Sequence, residues 1–338
     1  MTGQSLPDTM AALVYTGPNR VELRREPLPR PGPAEALVRV HAVGICGSDM
    51  HAYHGHDSRR PAPLILGHEA AGAVVGGPLD GRMVTINPLV VPADCPAALA
   101  GRPHLSPSRQ ILSMPPRPGA FAEYVVAPEA NLLPVPDGLS IAQAALAEPV
   151  AVSWHAVRIG MERLFGAPAA RVLVLGGGAI GVAAALAARH MGAGAVLLAE
   201  TNPARRERLT GMAGIAVIDP AAGTAAAEGA DLVIDAVGAR ATRAAASALV
   251  RPGGAIVHVG LLPGDEGFDI RRITLQEITL TGSYCYTPQD FADALTAMGQ
   301  GAMGPLDWFA TRPLAEGPAA FDDLDAGRVA DAKTVLLP

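Results

Sequence analysis

From Arg171 to the neighbourhood of residue 300 the chain alternates apolar runs with alanine-rich segments of helical spacing: "RVLVLG", "AIGVAAALAARHMG", "AVLLAE", "PARRERLTGM", "DLVIDAVG", "ATRAAASALV", "AIVHVGLL" and "ITLTGSY". Strands that each give way to a helix return in the same direction and need helices on both faces, so the pattern predicts a doubly wound parallel sheet. The flanking stretches read differently. Residues 10 to about 150 are rich in Pro and Gly, and short apolar runs such as "EALVRVHAVG", "EAAGAVVGG" and "RMVTI" read as strands joined by turns. The same texture returns after residue 300 and ends in "AKTVLLP". The expected class is α/β: a β-rich domain built from residues 1–149 and 300–338, with an α/β domain, residues 150–299, inserted. A chain of 338 residues with 49% hydrophobic content can bury two such cores.

Inside the α/β region, "VLVLGGGAIG" places Gly176, Gly178 and Gly181 directly after an apolar strand and at the start of a helix, with Ile180 among them. This spacing lets the backbone turn tightly, approach a pyrophosphate and pack helix on strand, while the helix N-terminus offers unpaired N–H groups to phosphate. The next strand, "AVLLAE", ends in Glu200, where an acid meets the adenosine ribose hydroxyls. Together these features predict a bound dinucleotide. Glu200 repels a 2′-phosphate and favours NAD over NADP, a preference moderated by Arg205 and Arg206. Val237, Val259 and Gly260 fall at strand C-termini, where the nicotinamide crevice is expected.

The β-rich region carries a second kind of chemistry. "GICGSDMHAYHGH" and "LGHEAAG" supply Cys46 and the pair His68–Glu69 on different segments, and a thiolate, an imidazole and a carboxylate suit Zn²⁺. Glu148, in "LAEPVAVSWHAV" at the seam of the two regions, is a further candidate ligand. Such a set leaves one position open for water or substrate, as catalytic zinc requires.

In order, "GICGSDMH", "LGHEAAGAV", "GAFAEYVVAP", "LAEPVAVSWHAV" and "VLVLGGGAIG" resemble the zinc-dependent medium-chain alcohol dehydrogenases, in the branch of sorbitol, threonine and related polyol dehydrogenases. The resemblance runs from about residue 10 to the C-terminus. It implies a GroES-like β domain and a Rossmann domain with the active site in the cleft between them. It also matches Cys46, His68 and Glu69 to zinc ligands, and Glu148 to the acid that touches zinc or its water. On that template Ser48 takes the substrate hydroxyl proton and His51 passes it to solvent. Asp49 receives a hydrogen bond from the non-ligating nitrogen of His68. The implied reaction is oxidation of a secondary alcohol, with a Lewis acid stabilising the alkoxide and hydride passing to nicotinamide C4. The resemblance further implies a homodimer or homotetramer, since "ITLTGSY" is similar to a strand that pairs across a dimer.

The chain departs from its template in two places. Where relatives hold a structural zinc with four cysteines, the matching positions here are Pro92, Cys95, Ala98 and Ser106. One thiolate cannot close a tetrahedral site, so one catalytic zinc and no structural zinc are expected. In the substrate pocket, Cys285 stands where sorbitol dehydrogenases place an arginine, and Ala52 where they place an aromatic residue, which weakens any transfer of sorbitol itself as substrate. His54 and His56 read as a solvated loop, and Arg59 and Arg60 as surface or as a greeting for a substrate phosphate.

A net charge of −6 without a basic block argues against nucleic acid as partner. Three widely spaced cysteines make no disulfide framework and point to the cytoplasm. The N-terminus lacks a signal-peptide pattern and every apolar run is broken, so neither export nor membrane insertion is expected. Lysine occurs only at Lys333, which argues against Schiff-base chemistry. Two rival readings share the architecture: a zinc-free quinone or enone reductase, and a non-catalytic dinucleotide-binding protein. The first has no use for Cys46, His68, Glu69 and Glu148 together, and the second predicts lost ligands or relay residues.

Overall fold

The alternation after Arg171 folds into a six-stranded, wholly parallel sheet. Its spatial order is Ala216–Ile218, Ala195–Ala199, Arg171–Leu175, Ala230–Asp235, Val250–His258 and Thr279–Gly282. The chain runs outward one way from Arg171–Leu175 and then the other way from Ala230–Asp235, so the direction of winding switches between these two neighbours. A crevice opens beyond the strand C-termini at such a switch point. Both strands are buried through their cores, as a sheet covered on two faces requires. The alanine content of the helix Ala179–His190 has a packing consequence: every residue from Gly181 to Ala188 is buried. Small side chains let this helix lie close to the sheet.

The computed structural model describes residues 6–164 and 169–338. The parallel sheet belongs to a unit comprising Pro149–Trp308 and Ala330–Ala332, while the second unit takes the chain through Glu148 together with Phe309–Val329 and Lys333–Pro338. In that second unit the strand Glu35–Gly44 pairs antiparallel with Glu69–Val75, with Tyr124–Pro128 and with the C-terminal strand Lys333–Leu337. Strands from both ends of the sequence therefore meet in one mixed seven-stranded sheet. Gly44 lies opposite Glu69 on one side and Val335 on the other. That register carries the start of the Glu69 strand and the start of the C-terminal strand to the same end of the sheet. Leu13, Val38, Val40, Leu66, Phe121 and Phe321 are among the side chains that close the core of this unit. Among the described residues no helix is long and apolar enough to cross a membrane.

Candidate metal centre and dinucleotide crevice

The sheet register assembles the first site. Cys46 follows the strand Glu35–Gly44 and caps the short helix Gly47–Tyr53, whereas His68 and Glu69 open the strand Glu69–Val75. One donor atom from each of Cys46, His68 and Glu69 lies within 4.8 Å of the other two, and among the described residues no other trio of His, Cys, Asp or Glu donors comes together in this way.

Buried Asp49 ties the two loops that carry these donors. Its Oδ2 accepts from the Cys46 backbone N–H at 2.9 Å and its Oδ1 from the Gly67 N–H at 3.2 Å. Oδ1 also faces His68 Nδ1 at 3.6 Å, longer than a hydrogen bond but close enough to orient the ring by charge. Ser113 Oγ shares that nitrogen at 3.4 Å. Burial opposes ionisation of Asp49, yet His68, Arg60 and the Cys46 N–H hold its carboxyl below the usual carboxylate range. Burial likewise opposes a charge on His68, and Asp49 and the Cys46 sulfur overcome it, raising the imidazole well above its ordinary value. Surroundings that favour a proton so strongly also favour a cation in its place.

Glu69 is completely buried. Its Oε1 accepts from Lys333 Nζ at 2.6 Å, and Lys333 also donates to the Ile45 carbonyl at 2.9 Å. Its Oε2 has no hydrogen-bond partner among the described residues. A Cβ on Gly44 would stand 2.1 Å from Oε2, so only glycine at that cross-strand position leaves the carboxylate its place. A buried carboxylate oxygen left without a donor is costly. With a cysteine sulfur and an imidazole beside it, this unpaired oxygen fits a Zn²⁺ ion.

The other residues expected at this site are placed as follows. Ser48 is half-buried in the first turn of Gly47–Tyr53 and His51 half-buried in its last. Burial, with His54 and His56 nearby, lowers the His51 pKa and keeps the ring neutral and able to accept a proton. Glu148 is buried in the first turn of the helix Ala147–Glu162, outside the trio but within electrostatic reach of Lys333. His54 pairs with Asp325 at 2.7 Å and Tyr53 donates to Asp322 at 2.8 Å, which fastens the helix to Gly317–Asp325. Arg60 is buried, committed to Asp57 at 2.6 Å and to the Ser113 carbonyl at 3.1 Å; it supports the His68 side of the site rather than a surface. Cys95 caps the one-turn helix Pro96–Leu99, with Sγ accepting from the Ala98 N–H at 3.4 Å. Cys46 and Cys95 are free thiols.

The second site is the crevice at the switch point. Each glycine of the "GGGAIG" turn has its own physical reason. Gly176 takes φ +100°, and a Cβ there would strike Val237 Cγ2 at 2.4 Å. A Cβ on Gly181 would stand 1.7 Å from the Gly176 carbonyl oxygen, so this glycine permits helix and strand to touch. Gly178 faces open space, at the N-cap of Ala179–His190 where no side chain caps the helix. Open space over uncapped helix N–H groups fits a pyrophosphate. Glu200 is buried and braces the turn from below: Oε2 accepts from the Gly177 N–H at 2.8 Å and Oε1 from the Asn202 N–H at 2.7 Å. Arg205 stands 3.6 Å from the same carboxylate, and Arg206 is paired with Asp219. Ile180, Val237 and Gly260 are half-buried and Val259 is buried, with Gly260 packed against the Val237 backbone. Gly181→Ala is expected to destabilise the protein by about 1–3 kcal/mol through forced separation of helix and strand. Thermal melting and NADH fluorescence titration, with affinity down about tenfold, check it.

Sequence reasoning missed Lys333, Ser113, Arg60 and Gly44 at the metal centre. The only available signal was the singularity of the lysine, which carries no spatial information.

Comparison with known proteins gives a consistent picture. Residues 32–137 match the family model described as the alcohol dehydrogenase GroES-like domain, and residues 179–300 the one described as zinc-binding dehydrogenase. The chain is 37% identical over 307 residues to L-galactonate-5-dehydrogenase of Escherichia coli K12, covering 87% of this chain and 88% of that protein. It is 33% identical to sorbitol dehydrogenase of Bacillus subtilis 168, covering 83% of this chain and 84% of the relative. Among solved structures, a zinc-binding dehydrogenase target from Sinorhizobium meliloti 1021 bound to NADP superposes with a TM-score of 0.88 at 29% identity, covering 99% of this chain and 100% of that one.

Proposed function

We propose, from the premise that this chain belongs to the zinc-dependent medium-chain alcohol dehydrogenases, that it oxidises a polyol or sugar-derived secondary alcohol with NAD, using one zinc held by Cys46, His68 and Glu69. The observation that carries the metal assignment is the buried Glu69 Oε2, without a hydrogen-bond partner among the described residues, beside a cysteine sulfur and an imidazole. Zinc, when bound, supplies Lewis acidity toward the alcohol oxygen. The chain's own residues do the rest. Asp49 fixes the loops of Cys46 and His68, Ser48 accepts the hydroxyl proton, and neutral His51 passes it to solvent. Glu148, buried and within electrostatic reach of Lys333, would be the acid that holds the water or substrate beside the metal. The polyol class is supported by the names of the relatives.

The NAD preference rests on Glu200, whose buried carboxylate braces the Gly177 turn and would leave a 2′-phosphate bound there facing negative charge. Glu200→Ser is expected to reduce kcat/KM for NAD about tenfold or more while raising that for NADP, through release of Arg205 toward the phosphate. Equal loss with both cofactors would assign Glu200 to bracing the Gly177 turn alone. A homodimer or homotetramer is the expected assembly, because the edge strand Thr279–Gly282 is open on one side and presents exposed Leu280. The free thiols of Cys46 and Cys95 support a cytoplasmic setting.

The test of the function is NADH formation from NAD⁺ over sugar alcohols, their phosphates, aldonates, threonine and simple secondary alcohols, with and without chelator. Chelator-sensitive turnover of one polyol class, with one zinc per chain by metal analysis, is the expected result. Turnover indifferent to chelator would overturn the zinc assignment and favour the zinc-free reductase, and two zincs per chain would overturn the single-site assignment.

A further inference from the structure

Past the end of the strand Val250–His258, the segment from Val259 to Gly267 is anchored in an unusual way. Val259 and Gly260 both donate their N–H groups to the Asp235 carbonyl, at 2.9 and 3.0 Å. Gly260 and Gly238 then meet backbone to backbone: a Cβ on Gly260 would lie 2.0 Å from the Val237 carbonyl carbon, and one on Gly238 2.4 Å from the Gly260 oxygen. The segment thus starts against the crevice and turns outward, exposing Leu261 and Leu262 to 62% and 43%. Two exposed leucines on a surface loop give it little packing of their own.

Its shape is held instead by one buried cation. Arg243, on the helix Arg240–Leu249, is 5% exposed. It donates from one terminal nitrogen to the Leu262 carbonyl and from the other to the Glu266 carbonyl, each at 3.1 Å. Its Nε donates to His258 Nε2 at 3.2 Å. Gly267, at φ +116°, lets the loop return past the same helix, since a Cβ there would strike the Arg240 oxygen at 2.4 Å. A planar guanidinium with three donors in a fixed fork suits this task, and an ammonium does not reproduce it. The charged groups that face the His258 ring are Arg243 and Asp235, the latter with Oδ2 at 3.7 Å and buried without a hydrogen bond; Phe268 packs on it edge-on at 5.5 Å.

We propose that Arg243 is a positioning residue for the nicotinamide half of the dinucleotide, fixing residues 261–267, which leave the crevice at Val259 and Gly260, through a latch that His258 completes only while its Nε2 is unprotonated. The proposal rests on the dinucleotide reading above. A protonated Nε2 cannot accept from Arg243 and turns toward Asp235 Oδ2. Burial and the adjacent Arg243 outweigh Asp235 and lower the pKa of His258, so the latch is closed at neutral pH and opens on acidification.

The test is NADH binding by fluorescence to the full chain, from pH about 5 to about 8, with amide hydrogen exchange of residues 261–267 measured in parallel. Wild type should bind NADH at neutral pH and weaken below the ordinary histidine range. Arg243→Met should bind about tenfold more weakly near neutral pH, with faster exchange confined to the loop, and Arg243→Lys should recover only part of the loss. His258→Gln, whose amide oxygen can accept from Arg243 at any pH, should bind without the acid weakening. Unchanged affinity and exchange in Arg243→Met, or an unaltered acid limb in His258→Gln, would overturn the latch while leaving the dinucleotide reading intact. A wild-type protein that binds neither NADH nor NADPH would overturn both. Should Arg243→Met fail to fold, Arg243→Lys and His258→Gln still decide the question.

Discussion

Cys46→Ala should abolish zinc retention and lower turnover by about a thousandfold or more, while NADH binding stays near the wild-type value. The size follows from what is removed. A Lewis acid contributes several kcal/mol toward the developing charge on the alcohol oxygen, and each 1.4 kcal/mol or so is about a factor of ten in rate. Cys46 is the most informative ligand to delete because it is only partly buried, so truncation costs little packing. The Cys46 N–H that Asp49 accepts belongs to the backbone and survives the change. The dinucleotide turn lies in the other unit and is untouched. Native mass spectrometry for the metal, a stopped-time assay for turnover and a fluorescence titration for NADH separate the three effects. Loss of zinc with turnover intact would show that the metal serves structure alone.

The dinucleotide turn was legible in the sequence because its determinants are local. Gly176, Gly178 and Gly181 fall within one turn and the start of the helix that follows it, Glu200 directly follows the next strand, and only the contact of Gly176 with Val237 comes from further along the chain. The trio Cys46, His68 and Glu69 was half legible: donor chemistry named the residues, but their convergence depends on the Gly44–Glu69 register, which no residue type announces. Arg60 shows the opposite failure. Two adjacent arginines in a polar loop read as surface, yet Asp57 and the Ser113 carbonyl fold one of them inward. His54 was read as a solvated loop residue, and its contact with Asp325 arrives from a helix near the other end of the chain. Pairings that span most of a chain belong to topology, and local pattern is silent about them.

Lys333 is the extreme case, since it meets Glu69 across a separation of 264 residues. Its replacement by methionine should destabilise the metal-free protein by about 3–5 kcal/mol, because the substitution leaves the Glu69 charge buried without its cation. Methionine matches the stem of lysine closely enough that lost packing is a small part of the cost. The ion pair is short, at 2.6 Å, and both side chains are almost entirely inaccessible, so solvent cannot take over the role of the ammonium. A bound zinc can. The loss should therefore shrink in zinc-loaded protein, and the difference in melting temperature between loaded and chelated samples should be larger for Lys333→Met than for wild type. Lys333→Met combined with Glu69→Gln removes the stranded charge and should recover stability relative to Lys333→Met in chelator, a coupling that a double-mutant cycle measures directly. If the destabilisation is the same with and without zinc, Lys333 acts through the Ile45 carbonyl and the end of the C-terminal strand. If zinc reduces it, the only lysine of the chain is the counterion that lets a three-donor metal centre stay folded while the metal is absent.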